Sequence, residues 1–475
     1  MSPLRVVIIG GGPGGYEAAL VASQHGADVT VVAQEGLGGN SVLWDCVPSK
    51  ALIVSAEAVG WVEAAYRLGV RSAGGEDPDD STSVDMRRVM ERVSGLGQDQ
   101  SADIAKKVAG SGVRIIEAHG RLAGPNTVEV EAPDGGVAAL HADVVLIATG
   151  SSPRVLPFAT PDGERVFTSR ELFALEEVPE RLVVVGSGAT GAEYAHAFAR
   201  FGSEVHLVSS RDQILPSEDP DAAAVIEDVF ERRGMVIHRR QRAMDMERAA
   251  DGVRVLTRGA DGEQEWVEGT HALFCVGQVP SSRRLGLEAV GVTIDERGAV
   301  PVDGVSRTNV HTIYAAGDVT GRVMLASTAA MQGRNAMWHA LGQAVAPLRW
   351  DAVASCIFTD PEVAAVGMTA EEAANAQIPL RTVTLPFGGN PRAKMAEWTD
   401  GFVKLHAMEG SGTVLGGSVV AARASDLIHP ISIAVHNRLT VSQLAQAFTI
   451  YPSMSGSLQE TARLLMGLVT AEPGL

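Results

Sequence analysis

Two short glycine-rich segments have the spacing that binding a dinucleotide requires. The first reads GGGPGG at 10–15 and the second reads GSGATG at 186–191. In such a segment the first glycine allows a tight turn, the second lets a pyrophosphate approach the backbone, and the third lets a helix pack closely on a strand. The pyrophosphate then lies at the helix N-terminus. The predicted contacts are Gly10, Gly12, Gly15, Gly186, Gly188 and Gly191.

The elements around each segment are predicted to place it between a strand and a helix. The first unit is strand Arg5 to Ile9, helix Tyr16 to Gln24 and strand Asp28 to Val32; the second is strand Arg181 to Val185, helix Ala192 to Arg200 and strand Glu204 to Val208. One such turn can be mere packing in any doubly wound sheet, but two in matching contexts indicate two bound nucleotides. Two nucleotides in one chain are typical of flavoprotein reductases.

Further elements are predicted outside these two units. We expect a loop at Gly74 to Asp80, followed by one helix at Val84 to Val93 and another at Gln98 to Val108. Apolar runs predict buried strands within 143–150 and at Ala272 to Val276. A domain boundary is expected just after the first of these strands.

A carboxylate, Asp318, closes the run YAAGD at 314–318, at a predicted turn from a strand into a helix. There it could accept hydrogen bonds from sugar-like hydroxyls. From about Leu348 the pattern changes to spaced short strands and two terminal helices, as in an α+β association domain. The predicted fold is therefore α/β, with two Rossmann-like dinucleotide-binding domains and a C-terminal α+β dimerisation domain.

Composition bears on the classes of partner. The 475 residues include 57 acidic and 39 basic side chains, and the formal net charge of -18 opposes binding to nucleic-acid phosphates or an anionic membrane surface. The sequence has no apolar run of the length, about twenty residues, that crosses a bilayer. Its 12 histidines and 3 cysteines show no metal-ligand spacing. We expect no nucleic acid, no integral membrane segment and no metal.

The cysteines and the first residues bear on location. Cys46, Cys275 and Cys356 are an odd, widely spaced set, which fits a reducing compartment better than a secreted disulfide scaffold. The start of the chain lacks the apolar region and cleavage site of a signal peptide, because glycines interrupt it at once. We expect a cytoplasmic protein.

Six motifs follow one another along nearly the whole chain. They are GGGPGG at 10–15, ATGSSP at 148–153, GSGATG at 186–191, YAAGD at 314–318, FTDPEVAAVG at 358–367 and GFVK at 401–404. In this order they resemble the pyridine nucleotide-disulfide oxidoreductases, the family of dihydrolipoamide dehydrogenase and glutathione reductase. The resemblance implies a homodimer. The domains it implies are an FAD-binding domain in two parts, 1–150 and 281–347, an NAD(P)-binding domain at 151–280 and a dimerisation domain at 348–475.

The resemblance also implies which residues contact FAD. The pyrophosphate would lie against the first glycine segment, with Thr149 and Gly150 beside the cofactor. Asp318 would hold the ribityl chain and Ala326 would pack near the flavin. Gly39 and Gly120 are further implied contacts.

One expected FAD contact is missing. In the family an acidic residue ends the second strand and holds the adenosine ribose, but Ala33 stands there. Glu35, two residues later, is either its substitute or a solvated loop charge.

The segment at 38–50 departs from the disulfide-reducing members of the family. It reads GGNSVLWDCVPSK, whereas those relatives read GGTCLNVGCIPSK, with two cysteines five positions apart. The first cysteine attacks the substrate and the second lies against the flavin. Ser41 replaces the first, and its hydroxyl cannot form a disulfide. Cys46 keeps the flavin-side position.

A second departure lies near the C-terminus. In the family the motif HPTxSE supplies, from the partner subunit, a histidine base held by a glutamate. Residues 451–456 read YPSMSG, so tyrosine and glycine replace them. His429 and His436 do not match that position and are predicted to lie on a helix surface. Dihydrolipoamide dehydrogenase activity is therefore excluded. Tyr451 either lines the acceptor pocket from the partner chain or packs in the interface.

The residues for hydride transfer are retained. In the family the lysine of the PSK turn pairs with the glutamate after the second glycine segment, close to flavin N5. Lys50 and Glu193 occupy those positions. A buried pair of this kind can also be structural, but both residues match a site, which favours the functional reading.

The end of the second unit bears on which nicotinamide nucleotide is used. A carboxylate there would bind the NADH ribose, whereas Ser209, Ser210 and Arg211 offer small hydroxyls and a guanidinium to a 2'-phosphate. This favours NADPH over NADH, unless Arg211 is an ordinary loop arginine. Gly277 begins the stretch that relatives read as GRRPN, but Gln278 replaces its arginine.

The cofactors are predicted to be FAD and NADP(H) or NAD(H). The predicted activity is oxidation of NADPH or NADH by FAD, with electrons passed from the flavin directly to a small acceptor. A quinone fits best, since it needs no thiol relay. The chain resembles the actinobacterial, dihydrolipoamide dehydrogenase-like quinone reductases, which lack the same groups. The alternatives are a soluble nicotinamide nucleotide transhydrogenase, peroxide reduction through a sulfenic acid at Cys46, and a non-catalytic flavoprotein redox sensor.

Overall fold

The computed structural model describes residues 2–71 and 82–469, so the loop expected at 74–80 lies outside the described residues. The strands are β1 (Arg5–Ile9), β2 (Asp28–Val32), β3 (Arg114–Ile116), β4 (His119–Gly124), β5 (Thr127–Glu131), β6 (Val137–His141), β7 (Val144–Ile147), β8 (Ser151–Pro153), β9 (Val166–Phe167), β10 (Arg181–Val185), β11 (Glu204–Val208), β12 (Val236–His238), β13 (Arg242–Arg248), β14 (Val253–Arg258), β15 (Gln264–Gly269), β16 (His271–Phe274), β17 (Gln278–Pro280), β18 (Ile313–Ala315), β19 (Ala354–Ile357), β20 (Glu362–Gly367), β21 (Leu380–Pro386), β22 (Phe402–Met408) and β23 (Val414–Ala421). The α-helices are α1 (Pro13–Gln24), α2 (Asn40–Leu43), α3 (Cys46–Arg67), α4 (Met86–Gly110), α5 (Ala189–Arg200), α6 (Pro220–Arg232), α7 (Ala326–Ala340), α8 (Ala370–Asn375), α9 (Pro391–Ala396), α10 (Ala424–Leu427), α11 (His429–Asn437), α12 (Val441–Gln446) and α13 (Ser455–Val469).

The first parallel sheet has the strand order β18-β7-β1-β2-β3. Strand β7 is buried along its whole length and β1 everywhere except Arg5, which is typical of a parallel sheet covered on both faces. Helix α1 packs against α7. On the other face, Val7 and Ile9 share an apolar cluster with Leu122 and Val128 from the antiparallel sheet β4-β5-β6.

A second parallel sheet repeats this arrangement, with the order β12-β11-β10-β16-β9. The antiparallel sheet β13-β14-β15 packs on it, since Val255 and Val267 share a cluster with Val183 and Val185. Short strands β8 and β17 pair antiparallel, joining residues before and after this unit. The predicted strands β1, β2, β10 and β11 are confirmed, with the bounds expected from the sequence.

One helix prediction was wrong. The two helices expected at 84–93 and 98–108 are the single helix α4. Gly97 lies within it because the helix passes close to α2: a Cβ at residue 97 would stand 2.9 Å from the carbonyl oxygen of Val42. This glycine therefore marks a close approach of backbone, and it does not end a helix.

The C-terminal domain contains an antiparallel sheet of order β19-β20-β23-β22-β21. The expectation of two terminal helices was also wrong, because the described residues contain four, α10 to α13. Arg438 ends α11 in a left-handed conformation, at φ 54°. Thr440 begins α12 with a capping box to Gln443. The predicted α/β class with a C-terminal α+β domain is confirmed.

Candidate active site

The first and third glycines of both segments are required by the protein itself. Gly10 and Gly186 have φ of +112° and +108°, and a Cβ on either would lie 2.2 Å from a backbone oxygen of a neighbouring strand end. A Cβ on Gly15 or Gly191 would stand 2.0 or 1.8 Å from the oxygen of the first glycine of its segment. The two segments therefore share one backbone geometry.

The middle glycines, Gly12 and Gly188, have room around them. A Cβ on Gly188 would meet no atom within 4 Å, and one on Gly12 would come no closer than 3.9 Å, to Cα of Gly39. Each residue is the N-cap of its helix, α1 or α5, with no side chain capping the first turn. Free N–H groups at a helix start beside open space fit the pyrophosphate of a dinucleotide.

A cavity of about 380 Å³ extends from the first glycine segment to the start of α3. The residues predicted to contact FAD or to serve its chemistry that line it are Gly10, Gly12, Glu35, Gly39, Cys46, Gly120, Thr149, Gly150, Asp318 and Ala326. Gly15 is buried inside α1, and neither Lys50 nor Glu193 lines the cavity. The fold thus brings together residues from widely separated parts of the sequence, although their individual roles stay predictions.

Asp318 is held in place by a neighbouring hydroxyl. Ser151 Oγ donates a hydrogen bond of 2.7 Å to Asp318 Oδ2. Burial raises the pKa of Asp318, and this hydrogen bond opposes the rise. Thr149 also lines the cavity, and its Oγ1 donates to the carbonyl oxygen of Ser281 at 2.7 Å. The Asp318 carboxylate keeps its second oxygen for a ligand hydroxyl.

Glu35 is paired within the protein. Its carboxylate accepts a hydrogen bond of 2.9 Å from Trp44 Nε1 and forms an ion pair with Arg170. The guanidinium of Arg170 also lies over the Trp44 ring, 4.8 Å from its centroid. Ala33 is buried at the end of β2. Glu35 therefore presents a fixed carboxylate to the cavity, and its role as a ribose ligand stays a prediction.

Lys50 and Glu193 meet between α3 and α5. The Lys50 ammonium donates to Glu193 Oε2 at 2.7 Å, and Glu193 Oε1 accepts from the backbone N–H of Phe358 at 2.9 Å. The ammonium also lies 4.9 Å from the centroid of the Phe358 ring. Burial lowers the pKa of Lys50, but the charge of Glu193 and the hydrogen bond to it outweigh that effect and leave the pKa raised. Lys50 therefore stays cationic one helical turn from Cys46.

The two positions of the lost dithiol both line the cavity. Ser41 Oγ donates a hydrogen bond of 3.0 Å to the carbonyl oxygen of Gly38, three residues earlier in the same turn. Burial raises the pKa of Cys46 to about 11, and the nearby carboxyl of Asp45 adds to the rise. A thiol with this pKa is neutral near pH 7 and is a poor nucleophile.

Two residues that the sequence pattern did not single out lie close to Cys46. Asp45 lines the cavity and has no hydrogen-bond or ion-pair partner for its carboxyl among the described residues. Tyr194 is buried, and its hydroxyl is likewise without a partner in the described part of the chain. The signal for Asp45 lies in the segment at 38–50, where it takes the place of the glycine in GGTCLNVGCIPSK.

The end of β11 carries the three residues that the sequence predicts to contact the nicotinamide nucleotide. Ser209 is fully buried and its Oγ accepts from Ser187 Oγ at 2.7 Å, so this hydroxyl is engaged inside the protein. Ser210 and Arg211 are exposed, and Arg211 forms no ion pair among residues 2–71 and 82–469. Gly277 has φ +99° and open space around it. The arrangement favours Ser210 and Arg211 over Ser209 as nucleotide contacts.

Tyr451 does not join this cavity within one chain. It is 83% exposed, and Phe448 and Ile450 beside it are exposed as well. His429 and His436 lie on the surface of α11, as predicted.

Two negative observations concern the described residues alone. None of their helices combines the length and apolar character that crossing a bilayer requires. No group of three His, Cys, Asp or Glu side chains among them is arranged to hold a metal ion.

Residues 4–333 match the family described as pyridine nucleotide-disulphide oxidoreductase, and residues 353–462 match the dimerisation domain of that family. The chain is 46% identical over 471 residues to an NAD(P)H dehydrogenase (quinone) of Mycobacterium tuberculosis, covering 97% of this chain and 94% of that protein. It is 33% identical over 457 residues to a dihydrolipoyl dehydrogenase of Chlorobaculum tepidum, covering 96% of both.

Solved structures match over almost the whole chain. LpdA from Mycobacterium tuberculosis superposes with a TM-score of 0.91 at 45% identity, covering 98% of this chain and 100% of that one. The HOCl-induced flavoprotein disulfide reductase RclA from Escherichia coli superposes with a TM-score of 0.84 at 25% identity, covering 97% and 100%.

Proposed function

The chain belongs to the pyridine nucleotide-disulphide oxidoreductase family, and we propose that it is an NAD(P)H dehydrogenase whose FAD passes electrons directly to a quinone. The family uses FAD and NAD(P)H. The observation that carries the proposal is the lost dithiol: Ser41 is bonded to Gly38, and Cys46 is a neutral thiol. Without a thiol relay, an acceptor would have to take electrons directly from bound FAD. The name of the Mycobacterium tuberculosis relative supports a quinone as that acceptor.

The residues of this chain bind and orient the cofactor. When bound, FAD takes up a hydride from NAD(P)H and passes its electrons on. The open start of α1 at Gly12 would bind the pyrophosphate, and Asp318 would accept from a hydroxyl of the ribityl chain. Lys50, fixed by Glu193, would place a positive charge near the flavin.

NADPH is the proposed electron donor. The guanidinium of Arg211 at the end of β11 is exposed and forms no ion pair in the described part of the chain. This supports recognition of a 2'-phosphate, because arginine binds phosphate through paired charge-assisted hydrogen bonds. No carboxylate stands at the neighbouring positions 209 and 210 to repel that phosphate.

A homodimer in the cytoplasm is the proposed state of the protein. The match to the family's dimerisation domain and the exposed apolar residues 448–451 support the dimer. The three cysteines, all free thiols, support a reducing compartment. In the dimer, Tyr451 would face the partner's cavity, where the family has its histidine.

The test is oxidation of NADPH and NADH by the FAD-loaded protein with menadione, lipoamide or glutathione disulfide as acceptor. We expect rapid turnover with menadione and none with either disulfide. Turnover with a disulfide would contradict the proposal. Hydride exchange from NADPH to an NAD analogue, faster than menadione reduction, would instead identify a transhydrogenase.

A further inference from the structure

The proposed reaction consumes one proton for each quinone that is reduced. NAD(P)H, one proton and a quinone yield NAD(P)⁺ and a hydroquinone, so the quinone gains two electrons and two protons. One proton accompanies the electrons as the equivalent of a hydride, and the second comes from solvent or from a protein group. The family's histidine base is absent at position 451. This inference rests on the proposed function and asks which group now supplies that proton.

Most titratable groups around the cavity are poor proton donors near pH 7. Cys46 has a pKa of about 11, and burial takes the pKa of Tyr194 well above its usual value. Lys50 is held as a cation by Glu193. Burial raises the pKa of Asp318 as well, but its carboxyl already accepts a hydrogen bond from Ser151 and is predicted to hold the ribityl chain of FAD.

We propose that Asp45 is the acid that protonates the reduced quinone. Asp45 lines the cavity between Cys46 and the turn that holds Ser41, and no other group in the described chain bonds to its carboxyl. It is the N-cap residue of α3, yet its side chain caps no N–H group, so both oxygens remain for a ligand. The disulfide-reducing relatives have glycine here. The chain thus carries a carboxyl beside the flavin-side thiol where those relatives have no side chain.

Asp45 lies close to several other titratable groups of the site. Asp45 is close enough for its charge to affect the pKa of five groups from four parts of the fold: Cys46, Lys50, Tyr194, Cys275 and Asp318. Glu193 faces the same space through its pair with Lys50.

The balance of these effects gives the direction of the pH dependence. Burial raises the pKa of Asp45, and the ammonium of Lys50 opposes the rise without cancelling it. The protonated form therefore persists to higher pH than for an exposed aspartate. Quinone reduction by this route falls as pH rises through that raised pKa, because the donor form is lost.

The experiment compares Asp45→Asn and Asp45→Gly with the conservative Asp45→Glu in the FAD-loaded dimer. Glu57→Gln is the matched control, because Glu57 is a carboxyl on the same helix with a pKa also raised by burial, and it does not line the cavity.

NADPH is oxidised with menadione, which takes up protons, or with ferricyanide, which takes up electrons alone. We expect Asn and Gly to slow menadione reduction by about tenfold or more, as for removal of a general acid, and to remove its fall with rising pH. Ferricyanide reduction should stay unchanged, and Glu should restore part of the menadione rate.

A second readout needs no turnover. The visible spectrum of bound oxidised FAD, titrated with pH in the absence of NADPH, should show a transition with the wild-type protein and with Glu57→Gln that Asp45→Asn lacks. Equal losses with both acceptors, or an unchanged menadione pH profile in Asp45→Asn, would overturn the role of Asp45. Wild-type protein that reduces ferricyanide but no quinone would instead overturn the proposed function.

Discussion

A single thiol remains at the flavin-side position, and its surroundings keep it neutral. Burial and the carboxyl of Asp45 both disfavour the thiolate of Cys46, whose pKa is about 11. Peroxide reduction requires a thiolate as the nucleophile. The chemistry of this residue therefore opposes the sulfenic acid mechanism.

Replacing Cys46 with Ser should leave quinone turnover within about twofold of wild type, since a neutral thiol takes no part in direct electron transfer. Because thiolate reacts and thiol does not, alkylation of Cys46 by iodoacetamide at pH 8 should be about a hundredfold slower than that of an ordinary cysteine and should accelerate up to about pH 11. Cys356→Ser serves as the control. Loss of activity in Cys46→Ser alone would point to thiol chemistry.

Arg211 decides nucleotide choice if it binds the 2'-phosphate. Arg211→Ala should raise KM for NADPH by about tenfold or more and leave KM for NADH nearly unchanged, since one charge-assisted hydrogen-bonding group is lost. Arg240→Ala is the matched control, because Arg240 is exposed nearby but is paired with Asp212. Steady-state kinetics with both nucleotides measures the effect. Equal changes for NADPH and NADH would make Arg211 an ordinary loop residue.

At the scale of elements, close packing explains which glycines are required. Helix α4 contains both Gly95 and Gly97, two residues apart. A Cβ at residue 95 would meet nothing within 4 Å, whereas one at residue 97 would press on the carbonyl of Val42 in α2. Helix α2 lies directly before the cavity residues 45 and 46, so this contact fixes the position of the turn that carries them.

Replacing Gly95 or Gly97 of α4 with alanine should change the free energy of unfolding in opposite directions. Gly97→Ala should destabilise the protein by about 1–3 kcal/mol, because overpacking forces the backbone to shift. Gly95→Ala should stabilise it by about 0.5–1 kcal/mol through better helix propensity. Urea unfolding followed by circular dichroism compares the two. A stabilising Gly97→Ala would mean that α2 and α4 are further apart than described.

At the scale of the whole molecule, segment 448–451 exposes the apolar side chains of Phe448, Ile450 and Tyr451. Phe448 is fully exposed and Ile450 is 81% exposed. Large apolar side chains clustered on a surface mark interaction sites. This segment belongs to the domain that matches the family's dimerisation domain, and it carries Tyr451 at the position of the family's catalytic histidine. A second copy of the chain is the partner that explains all three features.

Sedimentation should therefore give about twice the chain mass of 49.7 kDa for the wild-type protein. Ile450→Glu should shift the protein toward monomer and lower menadione turnover, while reduction of the bound flavin by NADPH continues. Val137→Glu introduces the same charge at another exposed apolar residue, on β6, and should change neither property. A dimer that persists in Ile450→Glu, with full activity, would remove segment 448–451 from the interface.

The main features of the fold could be predicted because they depend on local pattern. Both nucleotide-binding units follow from apolar strands, glycine spacing and helical stretches, and the bounds of β1, β2, β10 and β11 matched the structure. The continuity of α4 through Gly95 and Gly97 could not be predicted, since a glycine that breaks a helix and one that admits a neighbouring backbone look identical in the sequence. The C-terminal helices were miscounted because a left-handed residue, Arg438, ends one of them without glycine or proline.

The sequence by itself determined that two nucleotides bind and that the dithiol is lost, because both depend on which residue type stands at a fixed position. Tertiary structure alone decided what the remaining groups do. Lys50 meets Glu193 across 143 positions, and Arg170 meets Glu35 across 135. The raised pKa values of Cys46 and Asp45 come from burial between α3, α5 and the cavity wall. Burial and charge pairing depend on contacts between distant segments, and such contacts exist only once the chain has folded.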